Sequence, residues 1–188
     1  MSAARSAETL TRDRILDAAL ALAHKEGAAA LSMRRIAAEL GTGAMSLYNH
    51  IPDKEALLDG LVERIFNPVE TPSGATWRDV STAWATSTRA TVLANGPLLP
   101  ILVGPRRGFP LLCLLNRARQ ALIAAGLEAD AAREVTSVVS RWVIGCILAD
   151  SAMLRGDLAP REQLDELFTQ GLDALHDSLA HHLDPTDS

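Results

Sequence analysis

Aromatic side chains are scarce in this sequence: three Trp, three Phe and one Tyr among 188 residues, or 4 %. The 48 % apolar content is therefore mainly aliphatic, and it supplies enough side chains for a sizeable core, which excludes a disordered chain. Cysteine is scarcer still. Cys113 and Cys146 stand 33 residues apart in apolar surroundings with no neighbouring Cys or His at metal-ligand spacing. No metal site or cofactor follows, and both read as small buried hydrophobes. The opening MSAARSAETLTRDR lacks the apolar centre of a signal peptide. No stretch supplies the roughly 20 apolar residues of a membrane span, because the uncharged run Ala90–Pro105 is broken by Asn95, Gly96, Pro97, Pro100 and Gly104. A soluble cytoplasmic protein with no membrane partner is expected.

Positive charge is also lacking. A net charge of −5 and a pI near 5.5 argue against a protein that coats nucleic acid by bulk potential. The charge is uneven, however: residues 1–50 carry six Lys and Arg against five Asp and Glu, leaving −6 for residues 51–188. Any nucleic-acid contact belongs near the N-terminus.

Strand signals are almost absent, since β-branched alternation never lasts, while Ala, Leu and Arg dominate and apolar residues recur at three- and four-residue steps. The fold class is all-α. Thr9 or Thr11 caps a first helix that ends at Gly27, with Ile15, Ala19 and Leu22 as its apolar stripe. Ser32 caps a second helix from Met33 to Leu40, and a third runs from Ala44 to His50. Pro52 blocks continuation, and Asp53 caps a fourth helix to Phe66. The stretch Asn67 to Ala75, with Pro68, Pro72, Ser73 and Gly74, reads as a linker. Beyond it lie helices from Thr76 to Ala94, from Pro110 to Ala125, from Asp130 to Arg155 and from Arg161 to His181. The organisation is thus an N-terminal unit, residues 1–66 with a connecting helix 53–66, a linker 67–75, and a larger C-terminal body, residues 76–188.

The segment SMRRIAAELGTGAMSLYNH carries the spacing of a helix-turn-helix. Two helices crossing through a tight turn need a small residue at the crossing, Ala37, and a turn residue tolerant of positive φ, Gly41. Ile36, Leu40 and Leu47 face inward. Ser46, Tyr48 and Asn49 are left facing outward, a polar and aromatic set suited to phosphates and base edges. His50 is expected to pack or cap. A three-helix structural bundle has the same pattern, and Lys54, Arg34 and Arg35 taken singly read as solvated charges.

The run LGTGAMSLYNHIPDKEALL resembles the signature of the TetR family of bacterial repressors, through Leu40, Gly41, Leu47, Tyr48, His50, Ile51 and Lys54. Its wording is closest to the tetracycline-repressor branch. The resemblance covers residues 11–66; the remainder matches only in helix layout. It implies that Ser32, Tyr48 and Lys54 bind phosphates, that Arg34 and Arg35 begin the second helix beside the DNA backbone, and that Thr42, Gly43, Ala44, Met45, Ser46 and Asn49 lie on or near base edges. Many family members have Ser where Gly43 stands, so Thr42 is the expected cap.

The resemblance further implies a C-terminal domain that binds a small-molecule effector and dimerises. Trp142 to Ala149, WVIGCILA, is apolar on every face and must be covered on all sides, by the chain itself or by a partner. The last helix adds a stripe of Leu164, Leu167, Phe168, Leu172, Leu175 and Leu179. The family pairs two such helices about a two-fold axis, so a homodimer on a double-stranded palindromic operator is implied. Trp77, Trp84 and Trp142, with Arg89, Phe109, Arg117 and Arg119, lie between linker and interface; they read either as an effector pocket or as ordinary core. Tetracycline-binding members hold a magnesium chelate with a pocket histidine, but no His falls between residues 67 and 175, so that effector is not expected. Two other function classes compete: an enzyme, for which no phosphate loop, metal cluster or activated nucleophile is present in the sequence, and a helical dimeric interaction module without DNA binding.

Overall fold

The computed structural model describes residues 9–69, 76–103 and 109–183, with the side chains of residues 109–111 left undescribed. Among these residues every element is helical. They are α1 (Arg12–Glu26), α2 (Met33–Glu39), α3 (Ala44–Tyr48), α4 (Lys54–Phe66), α5 (Trp77–Ala94), α6 (Leu99–Leu102), α7 (Phe109–Ala124), α8 (Ala129–Arg155) and α9 (Arg161–Leu183). Single 3₁₀ turns at Ala28–Ala30 and Gly96–Leu98 complete the set.

The helix starts are chemically marked. Thr11, Ser32, Asp53 and Thr76 each present a side-chain oxygen to an amide in the first turn. Thr76 and Asp79 close a reciprocal capping box. Gly27, at φ 85°, ends α1, as its place in the sequence suggests. Two ends fall earlier than the periodicity implies: α2 stops at Glu39 because the chain turns through Gly41 at φ 66°, and α3 stops at Tyr48, ahead of Pro52. The segment read as a Gly/Pro loop from residue 95 is partly helical, in the 3₁₀ turn and α6, where each Pro sits in a first turn and forfeits no internal bond. Residues 104–108 of that segment, and the linker from residue 70 on, lie outside the described residues. The linker's first part is anchored: Val69 is buried and its carbonyl accepts from Arg117 Nη2 at 2.7 Å.

One aliphatic core runs through the chain. Ile15, Leu16 and Ala19 of α1 pack with Ile36, Leu47, Leu57 and Leu61, while α5, α7 and α8 assemble around Trp84, Leu122 and Val139. Gly60 lets α1 approach α4, since a Cβ there would lie 2.9 Å from Leu16 Cδ2. Arg64 of α4 reaches Asp17 at 2.6 Å and Asp13 at 3.1 Å, and Arg12 reaches Glu63 at 3.1 Å, so the same pair is clasped electrostatically. Both cysteines are half-buried rather than buried, because they occupy the flanks of α7 and α8 instead of the stripe that faces the core.

Along α8 and α9, Trp142 lies against Phe168 with ring centroids 4.9 Å apart. Gly171 leaves the room for it: an added Cβ would sit 2.7 Å from Trp142 Cζ2. Gly171→Ala is therefore expected to destabilise the chain by about 1–3 kcal/mol despite alanine's better helix propensity, measured by urea denaturation. The WVIGCILA segment is not covered on all sides by the described residues of one chain. Leu148 is 47 % exposed, Met153 41 % and, on α9, Leu167 56 %. These positions turn away from the inner stripe of Val143 and Ile147, and no described residue covers them.

Candidate nucleic-acid interface and ligand cavity

The helix-turn-helix is built as its spacing requires. Ala37 is 2 % exposed at the crossing, and the Thr42 amide donates to the Ala37 carbonyl at 3.0 Å to close the turn. Leu47, Ile36 and Ile51 are buried, which fixes the roll of α3. Met45, 77 % exposed, Tyr48, 44 % exposed, and Asn49 consequently face outward, while Thr42, Ala44 and Ser46 are half-buried. Gly43, not Thr42, occupies the N-cap of α3, with no side-chain acceptor, because the Thr42 backbone is committed to the turn. His50 is exposed and does not pack, since the chain leaves α3 at Asn49.

The cations sort by partner. Arg34 is exposed on the first turn of α2, beside Ser32, whose Oγ accepts the Arg35 amide at 3.2 Å. Arg35 instead meets Glu26 at 2.7 Å and Glu39 at 3.2 Å; the hydrogen bond to Glu26 and then the two carboxylate charges hold its pKa above the ordinary value. Its charge is balanced inside the unit, so Arg34 is the freer of the two for a phosphate. Lys54 is exposed at the start of α4, one residue after the Asp53 cap.

Behind this unit, α5, α7 and α8 enclose a cavity of about 490 Å³. Trp84, Thr88, Leu115, Ser137, Val143 and Ile144 are among its walls. Of the residues singled out from sequence for a pocket, Trp84 lines it, as does Arg119. Trp77 packs edge-on to His176 at 5.4 Å, Trp142 packs on Phe168, and Arg117 holds the Val69 carbonyl. Arg89 is buried between Asp150 at 2.7 Å and Asp165 at 2.6 Å, with its guanidinium carbon 4.7 Å above the Phe168 ring. The side chain of Phe109 lies outside the described residues. Sequence reading passed over Thr88, Arg133, Ser137 and Arg141. A signal existed: Arg133, Ser137, Ser140 and Arg141 recur at helical spacing on α8, a polar stripe on one flank of the helix. Trp84 Nε1 and Thr88 Oγ1, on two of the lining residues, are buried with no hydrogen-bond partner among the described residues. Such orphan groups cost about 1–3 kcal/mol each.

His176 is buried with Nε2 2.9 Å from Ser81 Oγ. Burial first, then the charge of Arg78, lowers its pKa against the opposing pull of Asp173 and Asp177. The unfolded chain therefore takes up this proton at a higher pH than the folded one. Stability from this group is complete above pH about 6.5 and falls as pH drops below it, at up to about 1.4 kcal/mol per pH unit. Denaturation at pH 7.5 and 5.5 is expected to show this loss, and His176→Gln to flatten it.

The sequence models of two families cover this architecture: "Bacterial regulatory proteins, tetR family" at residues 15–61, and "Tetracyclin repressor-like, C-terminal domain" at residues 68–183. The chain belongs to the TetR family. Relatives of this TetR-family chain include the HTH-type transcriptional repressor DrrR1 of Streptomyces coeruleorubidus, 48 % identical over 44 % of this chain; that match spans 32 % of the repressor's length. An HTH-type transcriptional regulator of Saccharopolyspora erythraea is 34 % identical, covering 82 % of this chain and 67 % of its own. The crystal structure of the Streptomyces coelicolor TetR family protein ActR in complex with actinorhodin superposes at TM-score 0.76 and 27 % identity, over 94 % of this chain and all of that one (100 %). The TetR-family chain is thus a transcriptional regulator, and the alternative of an interaction module without DNA binding falls away. Its relatives are regulators rather than enzymes.

Proposed function

We propose that this regulator binds a palindromic DNA operator as a homodimer in the cytoplasm, represses from it, and is released by a small-molecule effector held between α5, α7 and α8. The observation that carries DNA binding is the outward face of α3: Met45, Tyr48 and Asn49 stand exposed over a fully buried Leu47, flanked by Ser32, Arg34 and Lys54. Residues 1–66 form the DNA unit in this reading, 67–75 the linker and 76–188 the regulatory body. Ser32, Tyr48, Lys54 and Arg34 take phosphates, and Thr42 to Ser46 with Asn49 take base edges. Arg35 supports this set through Glu26 and Glu39.

Two copies are needed so that two recognition helices meet successive major grooves, about 34–36 Å apart. The exposed apolar positions Leu148, Met153 and Leu167 support pairing through α8 and α9. Leu148→Glu combined with Leu167→Glu is expected to convert dimer to monomer in sedimentation at micromolar concentration, with the helical spectrum retained. A wild-type monomer there contradicts the assembly.

Release runs through α7. Leu114 borders the cavity on one side and the notch between α1, α4 and α7 on the other, where Gly60, Glu63 and Phe66 lie. A ligand that displaces Leu114 acts on α4, and α4 carries α1 with it through the Arg12 and Arg64 ion pairs. Only a ligand with unequal affinity for the two dimer geometries shifts the balance. Gel-shift binding to the DNA upstream of the chain's own gene, lost steeply with salt, tests the DNA half of the proposal; specific binding absent at low salt would overturn it.

A further inference from the structure

The cavity between α5, α7 and α8 has a charge of one sign on its wall. Arg119 of α7 and Arg133 and Arg141 of α8 line it, and no carboxylate among the described residues does. Arg133 is paired with Asp130 at 3.0 Å. Arg119 donates to Asn116 Oδ1 at 2.7 Å and Arg141 to the Ser137 carbonyl at 2.9 Å, both neutral acceptors, so no carboxylate among the described residues cancels these two guanidinium charges. Arg141 is exposed and Arg119 half-buried, which places cationic groups where solvent reaches the cavity. Trp84 and Thr88, 2 % and 9 % exposed, carry the unpartnered Nε1 and Oγ1. The apolar part of the wall includes Leu115, Val143 and Ile144.

We propose that the effector is an organic acid with an apolar body, its anionic oxygen group held by Arg119 and Arg141. This rests on the reading of the cavity as the effector site. A neutral hydrocarbon would displace solvent from the guanidinium charges without replacing it, and a cation would meet like charge at the rim. The volume, about 490 Å³, is that of a site for a molecule of two to four fused or linked rings.

Two dyes of one ring system separate the possibilities: 8-anilinonaphthalene-1-sulfonate and its uncharged parent N-phenyl-1-naphthylamine, titrated fluorimetrically into the full chain. The sulfonate is expected to bind at least about tenfold more tightly, as one charge-assisted hydrogen bond allows. Arg119→Gln with Arg141→Gln should erase most of that advantage and leave the neutral dye unchanged. Arg155→Gln, an exposed charge outside the cavity, should alter neither. Equal affinities for the two dyes in the wild type, or a sulfonate advantage that survives the double substitution, overturn the acid and leave the cavity standing as a ligand site. If Thr88→Phe, which fills the cavity, changes the binding of neither dye, the cavity reading itself fails and the acid with it.

Discussion

Replacing Arg89 by methionine lowers the stability of the folded chain by about 3–5 kcal/mol. Arg89 is 6 % exposed and its partner Asp150 7 %, and together with Asp165 they tie α5, α8 and α9 into one body. Burial pulls the guanidinium pKa down, but the hydrogen bonds to Asp165 and Asp150 outweigh it and hold the group above its ordinary value. Removing the cation leaves Asp150 charged and enclosed, whereas Asp165, half exposed, returns to water. The cost is thus mainly that of one stranded carboxylate. Arg89→Met with Asp150→Leu should recover most of it, since an apolar pair of similar volume is no worse there than the ion pair. Urea denaturation reads both variants. A loss below about 1 kcal/mol in Arg89→Met would mean that the pair is solvated like a surface bridge.

Tyr48→Ala combined with Lys54→Ala is expected to lower operator affinity by about a hundredfold or more, since every contact is lost twice in a dimer and each charge-assisted bond is worth more than a factor of ten. The loss should be similar for every DNA sequence, because phosphates carry no base information. Loss of Lys54 alone should reduce the slope of log affinity against log salt by about two, one phosphate per protomer. Ser46→Ala and Asn49→Ala should behave differently, changing which bases are preferred by about 1–3 kcal/mol per position and leaving the salt slope alone. Gel shifts on the operator and on base-substituted versions separate the two patterns. Both pairs without effect in a folded dimer would remove α3 from the interface.

The fold was legible in the sequence where one residue decides one local question. Thr11, Ser32, Asp53 and Thr76 announce helix starts, and Gly27 and Gly41 announce ends by needing positive φ, as observed at 85° and 66°. The inward set of the helix-turn-helix was equally plain, because Ile36 and Leu47 have no other face to occupy. What depended on three helices at once was not. Arg89 and Trp142 look like pocket residues in a chain short of rings, yet their partners, Asp150, Asp165 and Phe168, lie 26 to 76 residues away and are found only by packing. Thr88 is one helix turn from Trp84 on α5, but nothing local marks its hydroxyl as unpartnered. Cap choice at Gly43 turned on a backbone bond from Thr42 that side-chain preference does not reveal.

The central claim is that the face of α3 around Tyr48 reads a DNA site in a dimer. Fluorescence-anisotropy titration of the chain against labelled DNA from upstream of its own gene, repeated from 50 to 300 mM salt beside a scrambled duplex of the same length, tests it most directly. The account predicts tight binding of one dimer to the genuine sequence, at least about 10³-fold tighter than to the scrambled one, with affinity falling steeply as salt rises. Equal affinity for both duplexes, or binding that ignores salt, would contradict it.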